Sequence, residues 1–135
     1  MRTLRNIVVQ EKVYTLDNIT NSNSSTQNVF FRQDSQWLHG KTDGIVSIIL
    51  YPLEVSGTIG TITMGIKPLD EAGNTFANSD YDQTLMSAVS VSSKVKGTDG
   101  GYGYEITGLP KCWGFELTVT HAGTAVVTPI VSVLF

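Results

Sequence analysis

Lys111–Gly123 reads KCWGFELTVTHAG, and within it Trp113, Phe115, Leu117 and Val119 alternate with Gly114, Glu116, Thr118 and Thr120. Successive side chains of a strand point to opposite faces, so this order places one set in a core and the other toward water. A helix would scatter the same residues around its circumference. The constraint extends along the chain, because Thr, Ser, Val, Ile and Gly dominate and apolar residues recur at spacing two.

The same reading predicts strands over Ile7–Leu16, Val29–Arg32, Gly44–Gly57, the TIGTITMGI stretch and Tyr102–Ile106. Asp17–Gln27 reads as a polar loop. Ser56-Gly57 or Gly57-Thr58 is expected to turn the long strand into TIGTITMGI as a hairpin. Asp70-Glu71-Ala72-Gly73 has the order of a turn, with a side-chain acceptor followed by a residue free to take positive φ. Asp82–Ala88 fits a short helix, but Val89, Val91 and Val95 hold a period of two and favour a strand from about Met86 to Val95. Gly97–Gly101 then turns the chain. Seven to eight short strands with little or no helix predict an all-β fold, an antiparallel β-sandwich of jelly-roll or Ig-like type. At 135 residues this is one domain, 1–135, whose segment 1–27 is also compatible with an extended arm.

The ending, TAVVTPIVSVLF, is apolar on both sides: Val127, Val131, Val133 and Phe135 on one, Val126, Ile130 and Leu134 on the other. Such a strand is expected to be covered on both faces, by a loop of this chain or by a neighbouring subunit. Pro129 cannot donate a ladder hydrogen bond and is expected at an edge, a bulge or a break. Pro129, Ile130, Leu134 and Phe135 are therefore the candidate assembly contacts. Thr118, Thr120, His121, Thr124, Thr128, Pro129 and Ser132 interrupt the run, so it does not read as a membrane-spanning helix.

Charge and motif content point away from several function classes. A net charge of −3 with nine scattered basic residues does not fit a nucleic-acid partner. A single cysteine, Cys112, forms no internal disulfide or multi-cysteine metal site; alternation places it opposite the core face, as an incidental thiol. The N-terminus carries no signal-peptide pattern, which leads to an expected cytoplasmic folding site. His39 and His121 read as surface histidines, neither in ligand-spaced pairs. Asp70-Glu71, Asp80-Tyr81-Asp82 and Asp99-Gly100-Gly101 read as turn residues, and no nucleophile elbow or phosphate-binding loop is present. No cofactor, metal or catalytic residue is expected. Tyr102 and Tyr104 share a strand face, and with Trp37 they form a candidate aromatic platform for stacking sugars.

The stretch ITGLPKCWGFELTVTHAGTAVVTPIVSV, Ile106–Val133, resembles the closing strands of small all-β virion proteins of tailed bacteriophages. IVSIILYPLEVSGTIGTITMGI, followed by the LDEAGN loop, resembles their earlier hairpin. The resemblance implies a non-enzymatic virion structural protein, a head decoration or cement protein or a neck or tail component. Such a protein would assemble in the host cytoplasm as a homo-oligomer that binds the major capsid protein or other virion proteins. The loops Asp17–Gln27, Asp34–Asp43 and Leu69–Asp82 are its expected capsid contacts. A carbohydrate-binding module using Trp37, Tyr102 and Tyr104 is the alternative.

Overall fold

The computed structural model describes residues 11–20, 23–31 and 46–134. These form eight strands: β1 (Glu11–Thr15), β2 (Ser24–Phe30), β3 (Val46–Ser56), β4 (Thr61–Leu69), β5 (Gln83–Ser90), β6 (Tyr102–Ile106), β7 (Gly114–Ala122) and β8 (Val126–Leu134). One four-stranded sheet, sheet A, has the order β1-β8-β3-β6, and the other, sheet B, has β2-β7-β4-β5. Every pairing is antiparallel. The all-β sandwich is as expected.

The pairings β1 with β8, β2 with β7, β3 with β6 and β4 with β5 are nested, as if one long hairpin with its tip at β4–β5 had been rolled up. Contacts between β3 and β8 and between β4 and β7 close the roll. This eight-stranded order is that of a jelly roll, and it separates the fold from the Ig-like arrangement, whose sheets group the strands differently. Its consequence is that most successive strands lie in opposite sheets. The expected β3–β4 hairpin at Ser56–Thr58 is therefore corrected: the chain there crosses between sheets. His121–Gly123 likewise leads from sheet B to sheet A.

Two strand boundaries also differ from expectation. β2 starts at Ser24, inside the stretch read as a polar loop, because Ser24–Gln27 pair with Leu117–Thr120. A polar edge strand has the composition of a loop. β5 ends at Ser90, where Val91 turns inward and the chain leaves the sheet; Val95 is largely exposed. No helix forms at Asp82–Ala88. The turn at Asp70 is as read: its Oδ1 accepts from the N–H groups of Ala72 and Asn74, and Gly73 takes φ +86°.

The core lies between the sheets. Ile48, Leu50, Val127, Val131 and Val133 of sheet A meet Val29, Ile62, Met64, Ile66, Phe115, Leu117 and Val119 of sheet B. Phe115 is fully buried, its ring tilted against Phe31 at 5.8 Å between centroids. Two sequence-read surface residues are corrected to buried. Cys112 has no exposed surface, because β7 begins only at Gly114 and its alternation does not reach back to residue 112. His121 is also fully buried, since β7 runs on to Ala122 and keeps position 121 in phase with Val119.

Candidate assembly surface

β8 places odd positions on the core side and even positions outward, and it lies between β1 and β3. Both of its ladders are occupied, so β8 is a central strand, and of the places expected for Pro129 the edge is excluded. Outward on β8 stand Val126, Thr128, Ile130, Ser132 and Leu134. In register beside them on β3 stand Ser47 (against Leu134), Ile49 (against Ser132), Tyr51 (against Ile130) and Leu53 (against Thr128). Ile49, Tyr51, Leu53, Ile130 and Leu134 are all half-buried. They form an apolar field across the two central strands of sheet A. Sequence reading marked Ile130 and Leu134 for assembly. The period of two puts Ile49, Tyr51 and Leu53 on one side of β3, but only the strand order sets that side beside Ile130 and Leu134.

Pro129 is buried and lies directly opposite Pro52 in the β3–β8 ladder. Neither ring can donate, and neither carbonyl faces the other proline. The Pro129 carbonyl accepts from Leu16 N–H at 2.9 Å, and the Pro52 carbonyl accepts from Lys94 N–H at 2.8 Å. The missing donor interrupts the β1 ladder, which stops at Thr15 opposite Ile130 and resumes as a bridge between Ile19 and Val127. Pro129 thus makes a break rather than an exposed contact.

Polar groups rim this field. Ser132 is buried on the outer side, and its hydroxyl donates to Glu11 Oε2. Lys96 Nζ lies 3.4 Å from the same carboxylate and 5.9 Å from the Tyr51 ring centroid. The Ser132 hydroxyl first, and Lys96 second, hold the Glu11 carboxyl below its ordinary range. Lys94 and Lys96 are thus engaged with aromatic rings and a carboxylate, since Lys94 Nζ stands 6.0 Å from the centre of Tyr102.

Tyr102 and Tyr104 do share a face, as read, but it is the face packed against the core. The Tyr102 hydroxyl accepts from Ser92 N–H at 2.9 Å, and its pKa is lowered mainly by hydrogen bonding to Ser92. Trp37, His39, Phe135 and the loop Asp34–Asp43 lie outside the described residues. Leu69–Asp82 is mostly exposed. Burial pushes the Cys112 thiol above its ordinary range, opposite to the activation a neighbouring lysine would give. Among the described residues no group of three or more His, Cys, Asp or Glu is placed to hold a metal. No helix among them is long and apolar enough to cross a membrane.

His121 needs a separate account. Its Nε2 accepts from Gly60 N–H at 3.0 Å, so the imidazole is neutral with its proton on Nδ1, and Nδ1 has no hydrogen-bond partner. Gly60 is required there, because a Cβ would run into the Ala122 carbonyl. Burial drives the His121 pKa below its ordinary value.

No protein-family model matches the chain, and no curated protein matches it.

Proposed function

We propose that this chain is a non-enzymatic structural protein of a bacteriophage virion, a jelly roll that decorates or cements the capsid by binding the major capsid protein and its own copies. The observation that carries the reading is the outer face of sheet A, where Ile49, Tyr51, Leu53, Ile130 and Leu134 form one apolar field. Burying what remains accessible of such a half-buried field stabilises an association by roughly 25 cal/mol per Å² of apolar area removed from water, and contiguous apolar surface open to solvent marks interaction sites. The strand order adds support by analogy alone, since jelly rolls serve viral capsids as well as lectins. The sequence resemblance to virion proteins points the same way.

The test is particle composition. Purified virions of the phage encoding the chain are expected to contain it in many copies per particle, and particles stripped of it should rebind the wild-type protein but not Ile130→Lys at unchanged melting temperature. Absence from purified particles would end the reading.

A further inference from the structure

A two-sheet roll has four edge strands, and an unguarded edge offers a row of backbone donors and acceptors to another strand. Three of the four here are guarded. β1 carries the charged Glu11 and Lys12 among its described residues. β6 is five residues long and carries Gly103 and Glu105. β5 pairs with β4 through two register shifts, and Ala88 within it takes φ +48°, which bends the strand away from regular pairing.

β2 is different. It runs seven residues, SSTQNVF, with no charge, proline or glycine, and it matches β7 in seven consecutive pairs without a shift. The bonds from Phe31 N–H to the Trp113 carbonyl and from His121 N–H to the Asn23 carbonyl fix the phase: odd positions of β2 bond to β7. The N–H and C=O of Ser24, Thr26, Asn28 and Phe30 therefore point outward. Lys12 Nζ already bonds the Phe30 carbonyl at 3.0 Å, and the Gln27 amide bonds the Asn28 carbonyl at 2.9 Å. The N–H groups of Ser24, Thr26 and Asn28 and the carbonyls of Ser24 and Thr26 have no partner among the described residues.

We infer that β2 is a homotypic pairing edge: two copies of this chain join β2 to β2, antiparallel across a twofold axis, and make one continuous sheet from two copies of sheet B. The occupant is a second copy because the free stretch is self-complementary. Centred on Thr26, the pairing lets Thr26 exchange both backbone bonds with its own copy while Ser24 faces Asn28. Across a twofold every charge on a strand meets a like charge nearby, and this edge has none. A Thr–Thr pair and a Ser–Asn pair are favourable cross-strand neighbours. The Lys12 contact at Phe30 closes one end of the free stretch and limits the register. This inference does not depend on the virion reading, because it concerns the chain alone in solution.

The experiment is sedimentation velocity of the full chain over a concentration series, with Thr26→Pro and Thr26→Lys alongside. Pro at 26 removes an outward N–H and leaves the β2–β7 bonds in place. The wild type is expected to form a dimer, and each variant to weaken it at least about tenfold, or 1.4 kcal/mol, with melting temperatures near wild type. A wild-type monomer at every concentration overturns the inference, as does a dimer that both variants leave intact. If a variant fails to fold, hydrogen exchange on the wild type decides: protection of the Thr26 and Asn28 amides must rise with concentration, and concentration-independent fast exchange overturns the proposal. Ile130→Lys should leave this dimer unchanged, so failure here is distinct from failure of capsid binding.

Discussion

The two sheets of this roll bury their inner faces in the same way and differ on their outer ones. Sheet B presents hydroxyls: Ser24 lies 2.7 Å from Thr120, Thr26 lies 3.4 Å from Thr118, and Thr63 sits opposite Thr120 on the other side. Sheet A presents Ile49, Tyr51, Leu53, Ile130 and Leu134. Neighbouring hydroxyls in sheet B satisfy one another across strands and can remain in water at no cost. The apolar field of sheet A gains only by being covered. The difference teaches that a two-sided apolar strand in a sandwich need not be an edge or a misfolding hazard, because a central strand can carry a binding face outward while its ladder stays closed.

Several measurements can break or sharpen that comparison. Removing Thr128–Phe135 takes out a central strand, so the truncated chain should show no cooperative thermal transition; a truncated chain that still melts cooperatively would return the tail to the role of a detachable contact. Inner positions of the two sheets should be equivalent, and Leu50→Ala in β3 and Leu117→Ala in β7 should each cost about 2–5 kcal/mol in urea unfolding. A much smaller loss in one of them would show that its sheet is loosely packed. Outer positions should diverge: Thr118→Lys is expected to change stability by no more than about 0.5 kcal/mol and to retain particle binding, whereas Ile130→Lys loses that binding.

The inner face of sheet B carries an acid limit of its own. Burial keeps His121 neutral and sets its folded pKa below the ordinary 6.5. Below that pH the unfolded chain takes up a proton that the folded chain refuses, so stability falls as pH drops from about 6.5. The melting temperature of the wild type should therefore decline between neutral pH and the folded pKa, and His121→Gln, which can still accept from Gly60, should flatten this limb. Glu11 contributes a second limb lower down, because its lowered carboxyl pKa gives stability present above the ordinary 4.5 and lost on further acidification. The smallest effect is expected for Lys96→Ala, which breaks a solvent-exposed pair and should leave the melting temperature unchanged; a clear drop would mean that the rim of sheet A is less accessible to water than its hydroxylated counterpart.

Much of this was legible in advance, and the exceptions share a cause. β7 was readable because its apolar and polar residues separate cleanly, as half-buried strands do. β3 and β8 were readable as strands, but their apolar outer sides did not reveal which residues would lie side by side. Ser24–Gln27 read as loop because hydroxyls and amides suit a turn as well as an edge strand. His121 and Cys112 were misplaced by one boundary, since moving the end of a strand by two residues decides whether alternation applies. The candidate site was half visible: Ile130 and Leu134 from the two-sided tail, but not their neighbours Tyr51 and Leu53 from a distant strand.

The period of two, the β-branched content and the turn residues were enough by themselves to determine an all-β chain with alternating cores, because side-chain direction along a strand is a local property. Which strands adjoin, which proline faces which, and which edge is left unguarded were decided only by the roll, because those relations join distant residues, 121 positions apart between Glu11 and Ser132, and depend on the nesting of the whole hairpin rather than on any one segment.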